Sequence, residues 1–247
     1  MLHSIGIRGT LLGWLHDYLS GRTKKVIVQG LPSCSVHVRK SVPQGSMIGP
    51  LLFLVYINHN VSNLACKYCL FADDLKLYLA VPISKADFEL SHYLMQRDVN
   101  KLHETSLSWG LSFSVEKCVT IRFCRRFHNA SDSLPYFIGT QQISLKQMHR
   151  DLGVWVDHEL KFHLHVRESA MKANGVKFGI LKGTVCCSPE FMKAVFVTHI
   201  QPILDYSSVV WNTGYLGNLR LLEGVQQKWT KMMSGFRDLS YSECLCT

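Results

Sequence analysis

Apolar residues fall at helical spacing over residues 9–20, where Leu11, Leu12, Leu15, Tyr18 and Leu19 recur on one face and Gly21 ends the run. Residues 23–29 change to a period of two, with Val26 and Val28 between polar neighbours, and residues 35–39 repeat it through Val36 and Val38. The two segments predict a basic β-hairpin over a turn near Gly30 and Pro32. A turn-rich loop at 41–46 leads into an apolar helix from Pro50 to about residue 60, since proline suits the first helical turn. Two apolar runs at 68–79 flank Asp73 and Asp74, predicting a hairpin whose tight turn carries both carboxylates. Residues 85–108 predict a long helix, and 119–123 and 151–156 predict strands. Beyond about residue 160 the pattern is helical over 161–183, 189–200 and 215–235, with breaks at Gly183, Pro189, Pro202 and Gly214. A mixed α/β part followed by a helical part is the expected architecture, with the step near residue 158.

Composition narrows this picture. Of 247 residues, 47% are hydrophobic and 18% charged, which excludes an intrinsically disordered chain. The longest apolar run, 47–57, is interrupted by Gly49 and Pro50, so no bilayer-spanning segment is expected. The N-terminus shows no charged region followed by an apolar stretch, so the expected location is intracellular, cytoplasmic or nuclear. The net charge of +9 is unevenly placed: residues 1–150 carry a balance of +8 and residues 151–247 only +1. Arg22, Lys24, Lys25, Arg39 and Lys40 form a stretch without an acid, a candidate nucleic-acid contact; a solvated basic surface is the alternative.

Nine cysteines without a signal peptide are expected to be reduced thiols buried as small apolar residues. Cys66 and Cys69 have the spacing of half a zinc site, but Cys186-Cys187 and Cys244–Cys246 have the wrong spacing for the other half. His158, His163 and His165 lie near one another, yet positions two apart do not share a helix face.

An Asp-Asp pair at a turn has two readings. Aspartate caps its own backbone and is common in turns. Two carboxylates on a rigid hairpin also repel each other unless a cation stands between them, and magnesium prefers such oxygens.

The neighbouring residues favour the second reading. Phe71-Ala72-Asp73-Asp74 resembles the catalytic box of reverse transcriptases in the form used by non-LTR (LINE-type) retrotransposons. Val42-Pro43-Gln44-Gly45-Ser46-Met47-Ile48-Gly49-Pro50-Leu51-Leu52-Phe53 resembles the preceding box, and Trp109-Gly110-Leu111-Ser112 through Glu116-Lys117-Cys118 the following one. Asp151-Leu152-Gly153-Val154 with Leu160-Lys161-Phe162 and His165 is similar to the segment leading into the thumb. Leu204-Asp205-Tyr206, Val210-Trp211 and Leu222-Glu223-Gly224-Val225-Gln226 resemble the helical region beyond it. Trp14-Leu15 with Tyr18-Leu19-Ser20-Gly21-Arg22 fits the segment before the second box. The matches cover nearly the whole chain in order. Departures are Ser114, where the pattern has asparagine, and His59, where it has an acid.

The resemblance implies a partial right-hand polymerase, with an α/β palm portion over 1–158 and a mostly helical thumb-like region over 159–247. It makes Asp73 and Asp74 the catalytic, metal-binding pair, with Mg2+ or Mn2+ as the ion. Pro43, Gln44 and Gly45 would lie where template base and incoming nucleotide meet, and Lys117 would act on the triphosphate. The implied partners are an RNA template, an RNA–DNA hybrid and deoxynucleoside triphosphates.

The family also uses a third carboxylate from a strand upstream of the Trp14 helix. No acid precedes Asp17 in these 247 residues. The expectation is therefore a polymerase segment inactive by itself. The alternatives are a non-catalytic nucleic-acid-binding remnant and an open reading frame that yields no stable protein.

Overall fold

The computed structural model describes residues 2–38, 41–61, 64–81, 85–124, 134–183 and 188–246. They form two compact units, one comprising the described residues up to Cys118 together with Leu134–Ile143, the other the remainder. The composition step near residue 158 falls inside the second unit.

In chain order the elements begin with α1 (Gly9–Leu19), β1 (Thr23–Lys24), β2 (Ile27–Val28), β3 (Leu31–Pro32), β4 (Val36–His37) and α2 (Gly49–Asn60). Then follow β5 (Lys67–Phe71), β6 (Asp74–Tyr78), α3 (Lys85–Ser108), β7 (Val119–Thr120), β8 (Phe137–Ile138), β9 (Gln141–Gln142) and β10 (Ser144–Leu145). The chain continues through β11 (Met148–Asp151), β12 (Val154–Asp157), α4 (His163–Gly183), α5 (Pro189–Val195), α6 (Gln201–Asp205), α7 (Ser208–Trp211), α8 (Leu216–Thr230) and α9 (Tyr241–Cys246). The described strands form two-stranded sheets, all antiparallel except the parallel pair β7–β10. The expected mixed α/β character is present.

In the first unit, β1 pairs with β4 and β2 with β3, giving the expected hairpin. Its tip is Gln29-Gly30, both at positive φ (51° and 82°), the signature of a tight two-residue hairpin turn. Val26, Ile27, Val28, Leu31 and Val36 are exposed on it. The structure places α2 against α3: the Tyr56 and His59 rings lie on Trp109, and the Tyr56 hydroxyl donates to the Trp109 carbonyl at 2.6 Å. Among the described side chains of α3 the buried ones are Ser91, Asp98, Leu102 and Ser106, a stripe at helical spacing in which Leu102 is the one apolar member.

The second unit has the denser core. Ala170, Ala173, Met192, Val195, Ile200, Leu204, Val225 and Trp229 pack together from α4, α5, α6, α8 and the turn before α6. A smaller cluster joins Val154, Phe162, Val166 and Trp211. Asp157 closes β12 onto α4: its carboxylate accepts the backbone N–H groups of Glu159, Lys161 and Phe162. Burial opposes its ionisation, but those three amides outweigh burial and hold its pKa below the ordinary value.

Three expectations are corrected. Residues 151–156 are not one strand: Leu152 and Gly153 adopt positive φ (43° and 89°) and turn the chain between β11 and β12. The strand expected over 119–123 is regular only at β7, because its partner β10 is itself two residues long. Pro202 does not end a helix. The turn Phe196–Ile200 widens to π geometry, with the Gln201 N–H reaching back to the Phe196 carbonyl, and α6 continues through the proline. Among the cysteines, Cys66 and Cys244 are buried as expected, whereas Cys34 and Cys69 are exposed.

His165 gives the second unit a pH dependence. It is buried, its Nδ1 accepts the Trp155 N–H at 3.4 Å, and its ring lies by Trp211. Burial first, then the charge of Arg150, lower its pKa, partly offset by Glu168. The unfolded chain, with an imidazole pKa of about 6.5, binds the extra proton more readily. Stability from this site is therefore complete above about pH 6.5 and is lost as pH falls towards the lower folded value. Thermal melts of wild type between pH 7.5 and 5 should show this loss. His165→Gln, which can accept the same N–H without titrating, should show a shallower dependence.

Candidate active site

The Asp73-Asp74 segment is built from strand pairing alone. β5 and β6 are paired antiparallel, with Phe71 opposite Asp74, Cys69 opposite Lys76 and Lys67 opposite Tyr78. The intervening turn is two residues long, Ala72-Asp73. Ala72 takes φ of 53°, a left-handed conformation that costs an L residue about 1–2 kcal/mol. The register refines the expectation: Asp73 is the second turn residue, and Asp74 is already the first residue of β6. Both are exposed. Their side chains belong to adjacent positions at the tip of the hairpin.

Pro43, Gln44 and Gly45 form a second turn. The Ser46 N–H donates to the Pro43 carbonyl at 3.3 Å, and Gly45 takes φ of 80°, which a β-carbon would oppose. The Ser46 hydroxyl donates to that same carbonyl at 2.7 Å and accepts the Gly49 N–H at 3.1 Å, tying the turn to the start of α2. A β-carbon on Gly49 would come to 2.6 Å from the Ser46 hydroxyl oxygen and 3.0 Å from the Pro43 carbonyl oxygen, so a side chain there would displace the Ser46 hydroxyl from this turn. Gln44 is left exposed at the turn.

Lys117 is exposed on a single 3-10 turn, Val115–Lys117. Lys24 and Lys25 are exposed on the basic hairpin. Arg22 is engaged at the hairpin's base, where its guanidinium donates to the carbonyls of Leu19 and Ser41. Arg39 and Lys40 lie outside the described residues. All the described candidate residues belong to the first unit.

A residue with no sequence motif supports the Asp73-Asp74 hairpin. Asp98 of α3 is 1% exposed, and its Oδ2 accepts the N–H of Cys66, the residue before β5, at 2.7 Å. Burial first, then the hydrogen bond and charge of Asp98, push the Cys66 thiol up to about 11. The Arg97 guanidinium stands 3.7 Å from the other carboxylate oxygen. Gln96 makes a two-way bond to β8, accepting the Phe137 N–H at 2.9 Å and donating to its carbonyl at 2.8 Å. Two residues apart, Gln96 and Asp98 lie on nearly opposite sides of α3. The one signal in the sequence was an acid at the helical spacing of the buried stripe.

Asp73 and Asp74 offer the hard oxygen donors a divalent cation takes. Among the described residues, no group of three or more His, Cys, Asp or Glu is placed to hold a metal ion. The pair thus suits such an ion in donor type and supplies only part of its shell. Cys66 and Cys69 are separated in environment, one buried against Asp98 and the other exposed on β5. His163 and His165 have different partners, Asn218 and the Trp155 backbone.

Residues 1–180 match the family described as reverse transcriptase (RNA-dependent DNA polymerase), and the chain belongs to that family. It is 24% identical over 236 residues to the RNA-directed DNA polymerase from mobile element jockey of Drosophila melanogaster, covering 89% of this chain and 24% of that protein. It is 23% identical over 232 residues to the probable RNA-directed DNA polymerase from transposon X-element of the same species, covering 90% and 25%. The jockey polymerase of Drosophila funebris is 25% identical over 234 residues, with the same coverage as the X-element protein. The chain therefore spans about a quarter of the length of these relatives. No solved structure matches it significantly. The expected resemblance to retrotransposon reverse transcriptases is borne out. No helix among the described residues is long and apolar enough to cross a membrane.

Proposed function

We propose that this chain is the catalytic-hairpin segment of an RNA-directed DNA polymerase of a non-LTR retrotransposon, with a palm portion over 1–158 and a thumb-like region over 159–247. The reading rests chiefly on one observation: two adjacent carboxylates stand exposed at the tip of a hairpin, in a chain of the reverse transcriptase family. Asp73 and Asp74 would hold magnesium or manganese, which when bound supplies positive charge to an attacking hydroxyl and a leaving pyrophosphate. The remaining ligands, including a third carboxylate, would come from beyond the described residues.

The other residues act by position and charge. The exposed Gln44 amide can donate and accept at the edge of a base or sugar, and Gly45, lacking a side chain, lets a nucleotide approach the backbone. Lys117 supplies a mobile point charge for a triphosphate. Lys24 and Lys25, with Arg39 and Lys40 further along the chain, would neutralise phosphates of an RNA template or RNA–DNA hybrid, binding by charge and with little sequence preference.

Replacing Lys24, Lys25, Arg39 and Lys40 together by alanine tests the substrate half of this reading. Each neutralised phosphate contributes about 0.9 to the slope of log affinity against log salt on a duplex. The variant should bind an RNA–DNA hybrid more weakly and with a slope shallower by about 2–4. Unchanged affinity and slope would move the nucleic-acid contact elsewhere.

A further inference from the structure

Asp98 is out of place by ordinary energetics. A carboxylate almost wholly withdrawn from water costs several kcal/mol in general unless hydrogen bonds and a counter-charge replace its hydration. Among the described residues, the groups facing Asp98 are the Cys66 amide, the Cys66 thiol, and a half-exposed Arg97 at 3.7 Å. An apolar residue would serve the α3 stripe better as packing. What an apolar residue could not do is hold the Cys66 N–H.

That amide is at the root of the Asp73-Asp74 hairpin. Cys66 is buried and immediately precedes β5, and the five residues of β5 carry the chain about 17 Å to the tip. The sheet is two-stranded, and a two-stranded hairpin is marginal by itself in water. Phe71, Tyr68 and Tyr78 are exposed on it, so side-chain burial does little to fix its direction. At its base, the buried hydrogen bond from Cys66 ties it to a 24-residue helix. Through Gln96, the same helix holds β8 on its other side, so α3 is a rigid frame with the hairpin's socket at Asp98.

We propose that Asp98 is the positioning residue of the Asp73-Asp74 hairpin: its buried carboxylate grips the Cys66 amide and so sets where the two exposed carboxylates stand. This deepens, and rests on, the reading of Asp73 and Asp74 as a cation-binding pair. Such a pair depends on placement to within a fraction of an ångström, which a support of this kind provides.

The test is amide hydrogen exchange by NMR on the whole chain, together with Mn2+-induced broadening of the Asp73 and Asp74 signals. In Asp98→Ala, exchange across β5 and β6 should accelerate about tenfold or more, while β11 and β12 in the other unit keep their protection. Broadening by Mn2+ should then need several-fold more ion than in wild type. Asp98→Asn, which keeps an acceptor for the Cys66 N–H, should restore most of both. If the alanine variant does not fold, Asp98→Glu replaces it. That side chain keeps the charge and displaces its oxygens by one methylene, so faster exchange confined to residues 66–78 supports the proposal. Hairpin exchange equal to wild type in a folded Asp98→Ala or Asp98→Glu overturns it. Absence of Mn2+ broadening in wild type would instead defeat the metal-pair reading, leaving the exchange result to decide the anchoring.

Discussion

Asp73→Ala is expected to lower nucleotide incorporation on an RNA template by about a thousandfold or more, in any polypeptide that combines this segment with a third carboxylate. Asp73 and Asp74 are neighbours at one turn, and both are exposed. Removing either halves the negative charge at the hairpin tip. A water molecule can fill the empty position but brings neither charge nor fixed direction. Asp17 is the control. It is also an exposed acid of the first unit, on α1 beside His16, and matches no position of the family pattern. Asp17→Ala should stay within a few-fold of the parent in single-turnover incorporation. An Asp73→Ala rate within tenfold of the parent would remove the pair from the chemistry.

Trp229→Ala is expected to cost the second unit about 3–5 kcal/mol. The side chain is 1% exposed in the centre of the larger cluster, its ring lies by Phe196, and its Nε1–H donates to the Met192 carbonyl at 3.0 Å. Truncation opens a cavity in the packed cluster and removes one of the two donors to the Met192 carbonyl, which keeps the Phe196 N–H. That loss is a large share of the 5–15 kcal/mol that usually separates folded from unfolded domains. Urea unfolding followed by circular dichroism should show the transition of this unit moving to much lower denaturant. A shift worth less than about 1 kcal/mol would mean that the cluster is not the core of the unit.

The elements legible in the sequence were those with a strong local signal. Leu11, Leu15 and Leu19 mark α1, Pro50 marks the first turn of α2, and the apolar runs flanking Asp73-Asp74 mark β5 and β6. Where tertiary geometry outweighed local pattern, the reading fell short. Leu152-Gly153 sits amid alternating apolar residues and looks like strand interior, but positive φ at both positions makes it a turn. Pro202 looks like a helix stop, yet it sits in the first turn of α6, directly after the π turn, where a missing N–H costs little. The candidate residues were legible as motifs, because Asp73-Asp74 and Pro43-Gln44-Gly45 are each a short contiguous run. Asp98 was not, since its role depends on a contact 32 positions away with a backbone amide that no side-chain pattern reveals.

The central proposal is that Asp73 and Asp74 are one part of a metal-holding set; among the described residues no group of three or more His, Cys, Asp or Glu is placed to hold the ion. Primer extension on an RNA template, with magnesium or manganese, tests it most directly when three proteins are compared: this 247-residue chain, its Asp73→Ala variant, and the chain joined to an upstream segment supplying an aspartate-bearing strand. The account predicts negligible synthesis by the first two and synthesis by the third, abolished when Asp73→Ala is introduced there. Robust synthesis by the 247-residue chain alone, lost in its Asp73→Ala variant, would contradict it by showing that a residue within the chain completes the set.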